Sequence, residues 1–277
     1  MVGLKPTRGL IANDGVIPIS LRQDVVGTLT GSVKDAAYLL SVMAGKSDAD
    51  EKTWNAPTEQ VPKFTDYCQG TDLTGVTIGV PRNSFESDPQ SPVIVAFESA
   101  LKTLAAHGAK IVDNANYPDL DGYHNLSSDD KNILRAADFK QDIALYLSKL
   151  QTNPNNLHSA DDIIEFTKTC QDEDYPKRDI QNFLWAQEHA IDTDSDRYKN
   201  TLKQEIALSS KGAITGAMEK HGADVLMVPY GMGTTNDLSA MLGAPAIAVP
   251  MGFYPEGFPL KKDSGWPNLI KVGPGMP

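Results

Sequence analysis

The sequence has few cysteines and no long apolar run. Its two cysteines, Cys68 and Cys170, form no C-x-x-C pair, which argues against zinc-finger and thioredoxin-type motifs. A disulfide between them is one alternative, because a sequence does not give the distance between two cysteines. We expect two buried or free thiols instead. No segment has the roughly 20 consecutive apolar residues that a membrane-spanning helix needs.

The sequence also lacks an excess of positive charge. It carries 36 acidic and 25 basic residues, which gives a formal net charge of −11. Nucleic acids and anionic membrane surfaces attract clustered Lys and Arg, so we expect neither as a partner. The compartment stays open, with the cytoplasm slightly favoured over secretion. The glycosylation sequon Asn125-Leu126-Ser127 matters only in a secreted protein.

Residues 2–45 have the most distinctive pattern in the chain. Glycine and proline punctuate the first half, at Gly3, Pro6, Gly9, Gly15 and Pro18. This spacing predicts tight turns that pack against another part of the protein. The second half has apolar residues at helical spacing after Ser32, a candidate N-cap with Asp35 at the third helical position. The pattern therefore predicts turns followed by an amphipathic helix that ends near Gly45.

The rest of the chain predicts alternating strands and helices. Residues 76–80 and 110–112 read as strands on either side of a helix that begins at Pro92, which together make a βαβ unit. We expect a helical block over about residues 121–195, with helices at 129–150 and 176–190 and a cap at Ser159. One long helix over 195–221 and a strand over 223–229 follow.

The order of several short motifs resembles the amidase signature family of serine hydrolases. GLKPTRG, DGVIPIS, RQDVVGT and VKDAAYLL follow one another within residues 3–40, as in the downstream half of that signature. Residues 224–229 and 243–253 resemble the late strand pair of the family, and GPGMP at 273–277 resembles the start of its final element. The resemblance spans the whole chain but only the middle and later part of the family domain.

The resemblance implies an α/β fold, with a mixed, largely parallel sheet sandwiched by helices, in a single domain over 1–277. It also implies that this domain is truncated at both ends. The family hydrolyses carboxylic amides through an acyl-enzyme, using a Ser–cis-Ser–Lys triad and no cofactor. In the family the catalytic Lys and both serine loops, GGSSGG-like and GTDxGGS-like, precede the GLKPT element. Neither loop occurs in this sequence.

Two functional hypotheses follow from that resemblance. In the first, the chain is a partial amidase domain whose parent family takes small-molecule amides, and it is inactive alone. In the second, it is a non-catalytic binding or regulatory relative of an amidase. In either case we expect sheet edges at residues 76–80, 110–112 and 225–228 to be open and to promote self-association.

The sequence offers weak candidates for a site and no catalytic residue. Tyr230 and Met232 follow the late strand, where the family's loop approaches the substrate channel, so we predict that they line a substrate pocket; packing in the core is the alternative. Ser209-Ser210-Lys211 has the residue types of a catalytic set. We expect it to lie on a helix surface, where adjacent side chains diverge by about 100°.

Aspartate and histidine are two further residue types that could contribute to a site. Asp24 lies between apolar residues, and we predict that it accepts hydrogen bonds from nearby backbone amides and pairs with Arg22; a catalytic role is the alternative. The five histidines form no i, i+4 pair with one another, so the sequence predicts no metal site. His107 and His221 are expected to end helices.

Overall fold

The computed structural model describes residues 1–55, 60–85, 88–229, 234–263 and 268–276. The helices in these residues are α1 Val33–Met43, α2 Pro92–Ala106, α3 Leu120–His124, α4 Ser128–Ser148, α5 Ala160–Thr169, α6 Gln181–His189, α7 Asp196–Ser209, α8 Ile214–His221 and α9 Thr234–Leu242. The strands are β1 Val2–Lys5, β2 Thr28–Thr30, β3 Thr77–Val80, β4 Lys110–Asp113, β5 Val225–Leu226, β6 Ala246–Ala248, β7 Lys261–Lys262 and β8 Ile270–Val272. Short 3-10 helices lie at Glu51–Asn55, Phe64–Tyr67, Arg82–Ser84 and Gln171–Glu173.

The described strands form two three-stranded sheets and one hairpin. β3 lies between β4 and β5 and is parallel to both, with Ile78 opposite Ile111 and Val225. β1 lies between β2 and β6 and is antiparallel to both, with Gly3 opposite Leu29 and Ala248. β7 and β8 pair with each other. The α/β class with parallel strands is confirmed, and the described strands lie in three separate sheets.

The predicted βαβ unit is confirmed. β3 leads into α2, which has Ser91 as N-cap and Pro at its first turn, and β4 then returns parallel to β3. Val80 and Phe97 have no exposed surface and pack with Leu101 in one apolar cluster. The parallel pair therefore forms because α2 covers one of its faces with large apolar side chains.

The turn-rich first segment needs its glycines for close approach of the backbone. Gly9 has a φ of +82°, and a Cβ there would lie 2.6 Å from the carbonyl oxygen of Lys52. A Cβ at Gly27 would lie 2.3 Å from the carbonyl oxygen of Leu4. α1 follows, capped as predicted by Ser32, whose hydroxyl accepts the N–H of Asp35 at 3.1 Å.

The helices α3 to α6 occupy the stretch for which the sequence predicts a helical block. α4 is the longest of the described helices, with 21 residues, and Ser127 caps it. Phe139 of α4 stacks on Phe183 of α6 with ring centroids 5.4 Å apart. On another side of α4, Ile133 and Leu134 pack against Tyr198 of α7. α4 is therefore the helix around which this block is assembled.

Three predicted boundaries are wrong. Residues 195–221 form two helices, α7 and α8, because the chain turns at 210–213 and buries Ala213 against Tyr117 and Leu238. The predicted helix at 176–190 begins at Gln181, after a turn. The strand expected over 223–229 is limited to Val225–Leu226. In each case tertiary contacts or turns override a continuous apolar pattern.

The predicted open edges are partly wrong. β3 is the central strand of its sheet, and its Ile78 and Val80 are buried, so it is not an edge. β4 and β5 are the outer strands, and Val225 of β5 is exposed.

Cys68 and Cys170 are both free and half-buried. None of the described helices combines the length and apolar character needed to cross a membrane.

Candidate functional site

The Ser209-Ser210-Lys211 string lies where α7 ends and not inside a helix. Ser209 is fully buried, which corrects the expectation of a surface residue, and its hydroxyl donates to the carbonyl of Glu205 at 2.8 Å. The Ser210 hydroxyl donates to the carbonyl of Ile206. Lys211 points to solvent and forms an ion pair with Glu219. Neither hydroxyl therefore has a base in position to activate it.

Asp24 makes the backbone hydrogen bonds that the sequence predicts. Its Oδ2 accepts the N–H of Ile19 at 2.8 Å and the N–H of Ser20 at 3.0 Å. The Asp24 carbonyl in turn accepts the side-chain amide of Asn13 at 2.6 Å. Asp24 therefore closes the turn at residues 19–24, and its carboxylate is occupied by this turn.

The predicted pairing of Arg22 with Asp24 is wrong. The Nε of Arg22 donates to Asp138 of α4 at 3.0 Å, and its Nη1 forms an ion pair with Glu205 of α7. The Asp24 carboxylate is already taken by backbone amides, so the guanidinium extends instead to two helices that are distant in sequence. Arg22 Nη2 is buried with no hydrogen-bond partner among the described residues.

Asp138 is the acceptor at the centre of this buried network. The Ser20 hydroxyl donates to its Oδ2 at 2.6 Å, and the Tyr198 hydroxyl donates to its Oδ1. Burial, and then the bond to Asp138, raise the pKa of Tyr198 to about 12, so the phenol stays protonated and donates. For Arg22, burial alone lowers the pKa, but attraction by Glu205 and Asp138 outweighs it and raises the pKa.

Two more cations of the N-terminal segment, Arg8 and Lys5, form no ion pair among the described residues, and Arg8 lies beside Arg22. Arg8 donates from Nη1 to the carbonyl of Arg22, and Lys5 donates from Nζ to the carbonyl of Ala244. Burial and the neighbouring Arg8 lower the pKa of Lys5. Burial and the neighbouring Arg22 lower the pKa of Arg8, although Glu205 acts in the opposite direction. The N-terminal segment therefore brings a row of cations against the helices.

Tyr230 and Met232 lie outside the described residues, so their predicted role in a pocket stays a prediction. The helix that follows them is described, and its first turn is polar. Tyr117 donates from its hydroxyl to Thr235 Oγ1 at 3.2 Å, and Tyr123 donates from its hydroxyl to Asp237 Oδ2 at 2.8 Å. Burial and the bond to Asp237 raise the pKa of Tyr123.

A cleft of about 140 Å³ opens between the first half of α4 and α9. Lys131 and Arg135 of α4 line one side, and Asp237 of α9 lines the other. Gln23 also lines the cleft and donates from Nε2 to Glu205 Oε1 at 3.3 Å. This bond links the cleft to the Arg22 network. The site is thus a charged cleft backed by buried ion pairs, and in the described part of the chain no cluster of His, Cys, Asp and Glu is suited to hold a metal.

Comparison with known proteins identifies the family. The model of the Amidase family matches residues 1–260. The chain belongs to the Amidase family. A protein of Arthroderma benhamiae named "Putative amidase" is 34% identical over 279 residues, a match that covers 100% of this chain and 46% of the relative. A probable amidase of Arabidopsis thaliana is 28% identical, with 98% of this chain and 51% of the relative covered.

Solved amidase structures share the fold. The native peptide amidase from Stenotrophomonas maltophilia is 26% identical, with a TM-score of 0.78 over 96% of this chain and 53% of that protein. An amidase family protein from Bacillus anthracis has a TM-score of 0.71 at 24% identity, which shows the fold alone. This amidase-family chain spans about half the length of the curated relatives it matches.

Sequence reasoning missed the two carboxylates that bind Arg22. Asp138 lies four residues after Leu134, and Glu205 lies three residues after Leu202 and three before Leu208. Both acids are therefore on the apolar stripe of an amphipathic helix, where a lone charge needs a partner. That signal was present in the sequence, but it does not say which cation is the partner.

We predict that Asp24→Ala lowers the free energy of unfolding by about 1–3 kcal/mol, because two backbone N–H groups lose their acceptor. Asp24→Asn keeps an accepting oxygen and is expected to lose less. Urea unfolding followed by circular dichroism measures both variants. A midpoint for Asp24→Ala equal to that of the parent would contradict the structural role and reopen a functional one.

We predict a larger effect for Asp138→Ala, about 3–5 kcal/mol, because it leaves a buried guanidinium and two hydroxyls without their shared acceptor. Lys140→Ala is the matched control, since Lys140 is exposed on the same helix. Such a surface substitution is expected to change stability by less than about 0.5 kcal/mol. Equal unfolding midpoints for the two variants would show that the network contributes little.

Proposed function

We propose that this chain is the later part of an amide-hydrolysing domain and has no amidase activity by itself. The observation that carries the proposal is the arrangement at Ser209, Ser210 and Lys211. Both hydroxyls donate to carbonyls of their own helix, and the lysine pairs with a glutamate in solvent. A nucleophilic serine needs a base within hydrogen-bond reach and donors for an oxyanion, and this arrangement has neither.

Family membership supports amide hydrolysis as the reaction class. The sequence supports the proposal that this chain lacks the catalytic serines. The GGSSGG-like and GTDxGGS-like loops, which carry the serines of the resembled family, do not occur in this chain. In our proposal another segment supplies nucleophile and base, and this chain supplies one wall of the substrate pocket. Tyr230 and Met232 belong to that wall in this proposal. The substrate is a small amide, with nucleic acid disfavoured as a partner by the net charge of −11.

An exposed apolar surface supports the need for such a segment. Large side chains of α1, β2 and β6 are uncovered, with Leu29 76% and Val42 68% exposed. Others on the same elements are Tyr38 and Ile247. The register with β1 places Leu29 and Ile247 on opposite faces of this sheet, so apolar side chains are uncovered on both. Exposed apolar side chains can mark interaction surfaces or promote association. We propose that the catalytic segment covers these side chains in an active amidase and that the uncovered chain self-associates through them.

A second candidate function is a non-catalytic binding protein that keeps the later part of the pocket. The cleft between α4 and α9 favours it, because that cleft presents the charged side chains of Lys131, Arg135 and Asp237. The two candidates differ in whether an added catalytic segment produces hydrolysis.

We predict no turnover of simple aliphatic or aromatic amides by the purified chain and no stoichiometric labelling by a serine-directed fluorophosphonate. The chain is then co-expressed with the part of the Arthroderma benhamiae relative that lies outside the matched region, which makes up the other half of that protein. Hydrolysis in the complex supports the partial-amidase proposal, and a stable complex without hydrolysis supports the binding protein. Turnover by the chain alone that survives Ser209→Ala and Ser210→Ala would show that a nucleophile lies elsewhere and would overturn both.

We predict that the purified chain self-associates in light scattering, because each aliphatic side chain left uncovered forfeits about 1.5–3 kcal/mol of burial. Leu29→Lys and Val42→Lys, which place charge at exposed apolar positions of β2 and α1, are expected to shift the chain toward monomer. Val95→Lys is the control, since Val95 is exposed on α2, outside these elements. A monomeric parent chain that melts cooperatively would contradict the prediction.

A further inference from the structure

The cleft between α4 and α9 has an imbalance of charge in an otherwise acidic chain. Lys131 and Arg135 lie one helical turn apart and both line it, whereas Asp237 is the one carboxylate among the described lining residues. Neither cation forms an ion pair in the part of the chain that the structure describes. Like charges at i, i+4 repel, so an anion bound between Lys131 and Arg135 would reduce their mutual repulsion.

Both cations are held at the cleft by their neighbours. The Lys131 ammonium lies 4.4 Å from the centroid of the Tyr123 ring, a cation–π contact. Arg135 donates from Nη2 to Asn132 Oδ1, and Asn132 donates from its amide to the carbonyl of Ser128 at 2.8 Å. These contacts use only part of the donor capacity of the ammonium and the guanidinium, which leaves N–H groups for a ligand.

The acid in the cleft is already engaged. Asp237 accepts the hydroxyl of Tyr123, whose raised pKa keeps it a donor. Glu205, which lies behind Gln23, is paired with Arg22. Asp237 and Glu205 therefore have their own donors, and Lys131 and Arg135 have no ion-pair partner among the described residues.

The size of the cleft limits the ligand. A volume of about 140 Å³ is several times the roughly 30 Å³ that one water takes in the liquid. It is below the roughly 300–1,000 Å³ of pockets for drug-sized molecules. A carboxylate with a short carbon chain matches this size, and a guanidinium binds a carboxylate through two parallel hydrogen bonds.

We propose that this cleft binds the carboxylate group of a small organic ligand, with Arg135 and Lys131 as its cationic partners and the Gln23 amide as a further polar contact. The proposal concerns binding alone and does not depend on amide hydrolysis. If the chain is part of an amidase, the same cleft favours amides that carry a carboxylate.

Isothermal titration calorimetry of the 277-residue chain tests the proposal with succinamate, which has one amide and one carboxylate. Succinamide, of the same length and without charge, is the ligand control. We expect succinamate to bind at least about tenfold more tightly than succinamide, because charge-assisted hydrogen bonds are roughly twice as strong as neutral ones. We also expect Arg135→Gln and Lys131→Gln each to weaken succinamate by about tenfold.

Lys140→Gln is the protein control, because Lys140 is an exposed cation of the same helix that does not line the cleft. Circular dichroism confirms that each variant is folded. Equal affinity for the two ligands, no binding of succinamate at millimolar concentration, or equal effects of the Arg135 and Lys140 variants would each overturn the proposal. Tighter binding of inorganic phosphate than of succinamate would overturn the assignment to a carboxylate.

Discussion

The ion pairs of Arg22 are the contact on which the arrangement of the segments depends. Asp138 and Glu205 lie 116 and 183 residues from Arg22 in sequence, and each contributes a carboxylate from a different helix. A buried guanidinium with one partner missing is costly, so the turn at residues 19–24, α4 and α7 have to be positioned together. Asp24 supports this by closing the turn, which fixes where the side chain of Arg22 begins.

The helix α4 links this network to both the apolar core and the cleft. Its 21 residues span roughly 30 Å at 1.5 Å per residue. Arg135 faces the cleft near its start, Asp138 faces the buried network one turn later, and Phe139 stacks in the apolar cluster with Phe183. A change in the rotation of α4 would therefore move all three regions at once. The shared helix fixes the positions of these three regions relative to one another.

The family assignment and the local chemistry give different information. The match over residues 1–260 and the likeness to solved amidases describe the architecture. Activity depends on side chains placed at a site, and a fold alone does not supply them. In this chain the hydroxyls of Ser209 and Ser210 donate to carbonyls of their own helix, and Lys211 is paired with Glu219. The family match therefore identifies the architecture, whereas the chemistry depends on side chains that an architecture does not specify.

The family, the α/β class and the local signals could be predicted from the residues alone. The order of motifs in residues 3–40, the caps at Ser32 and Ser159 and the amide contacts of Asp24 depend on neighbours in the chain, so they could be predicted. The partners of Arg22, the break between α7 and α8 and the burial of Ser209 could not be predicted in this way. Each of these depends on contacts between residues far apart in sequence. The helical period of apolar residues shows which face of a helix is buried. Which residue that face contacts depends on the energy of contacts between segments that are distant in sequence.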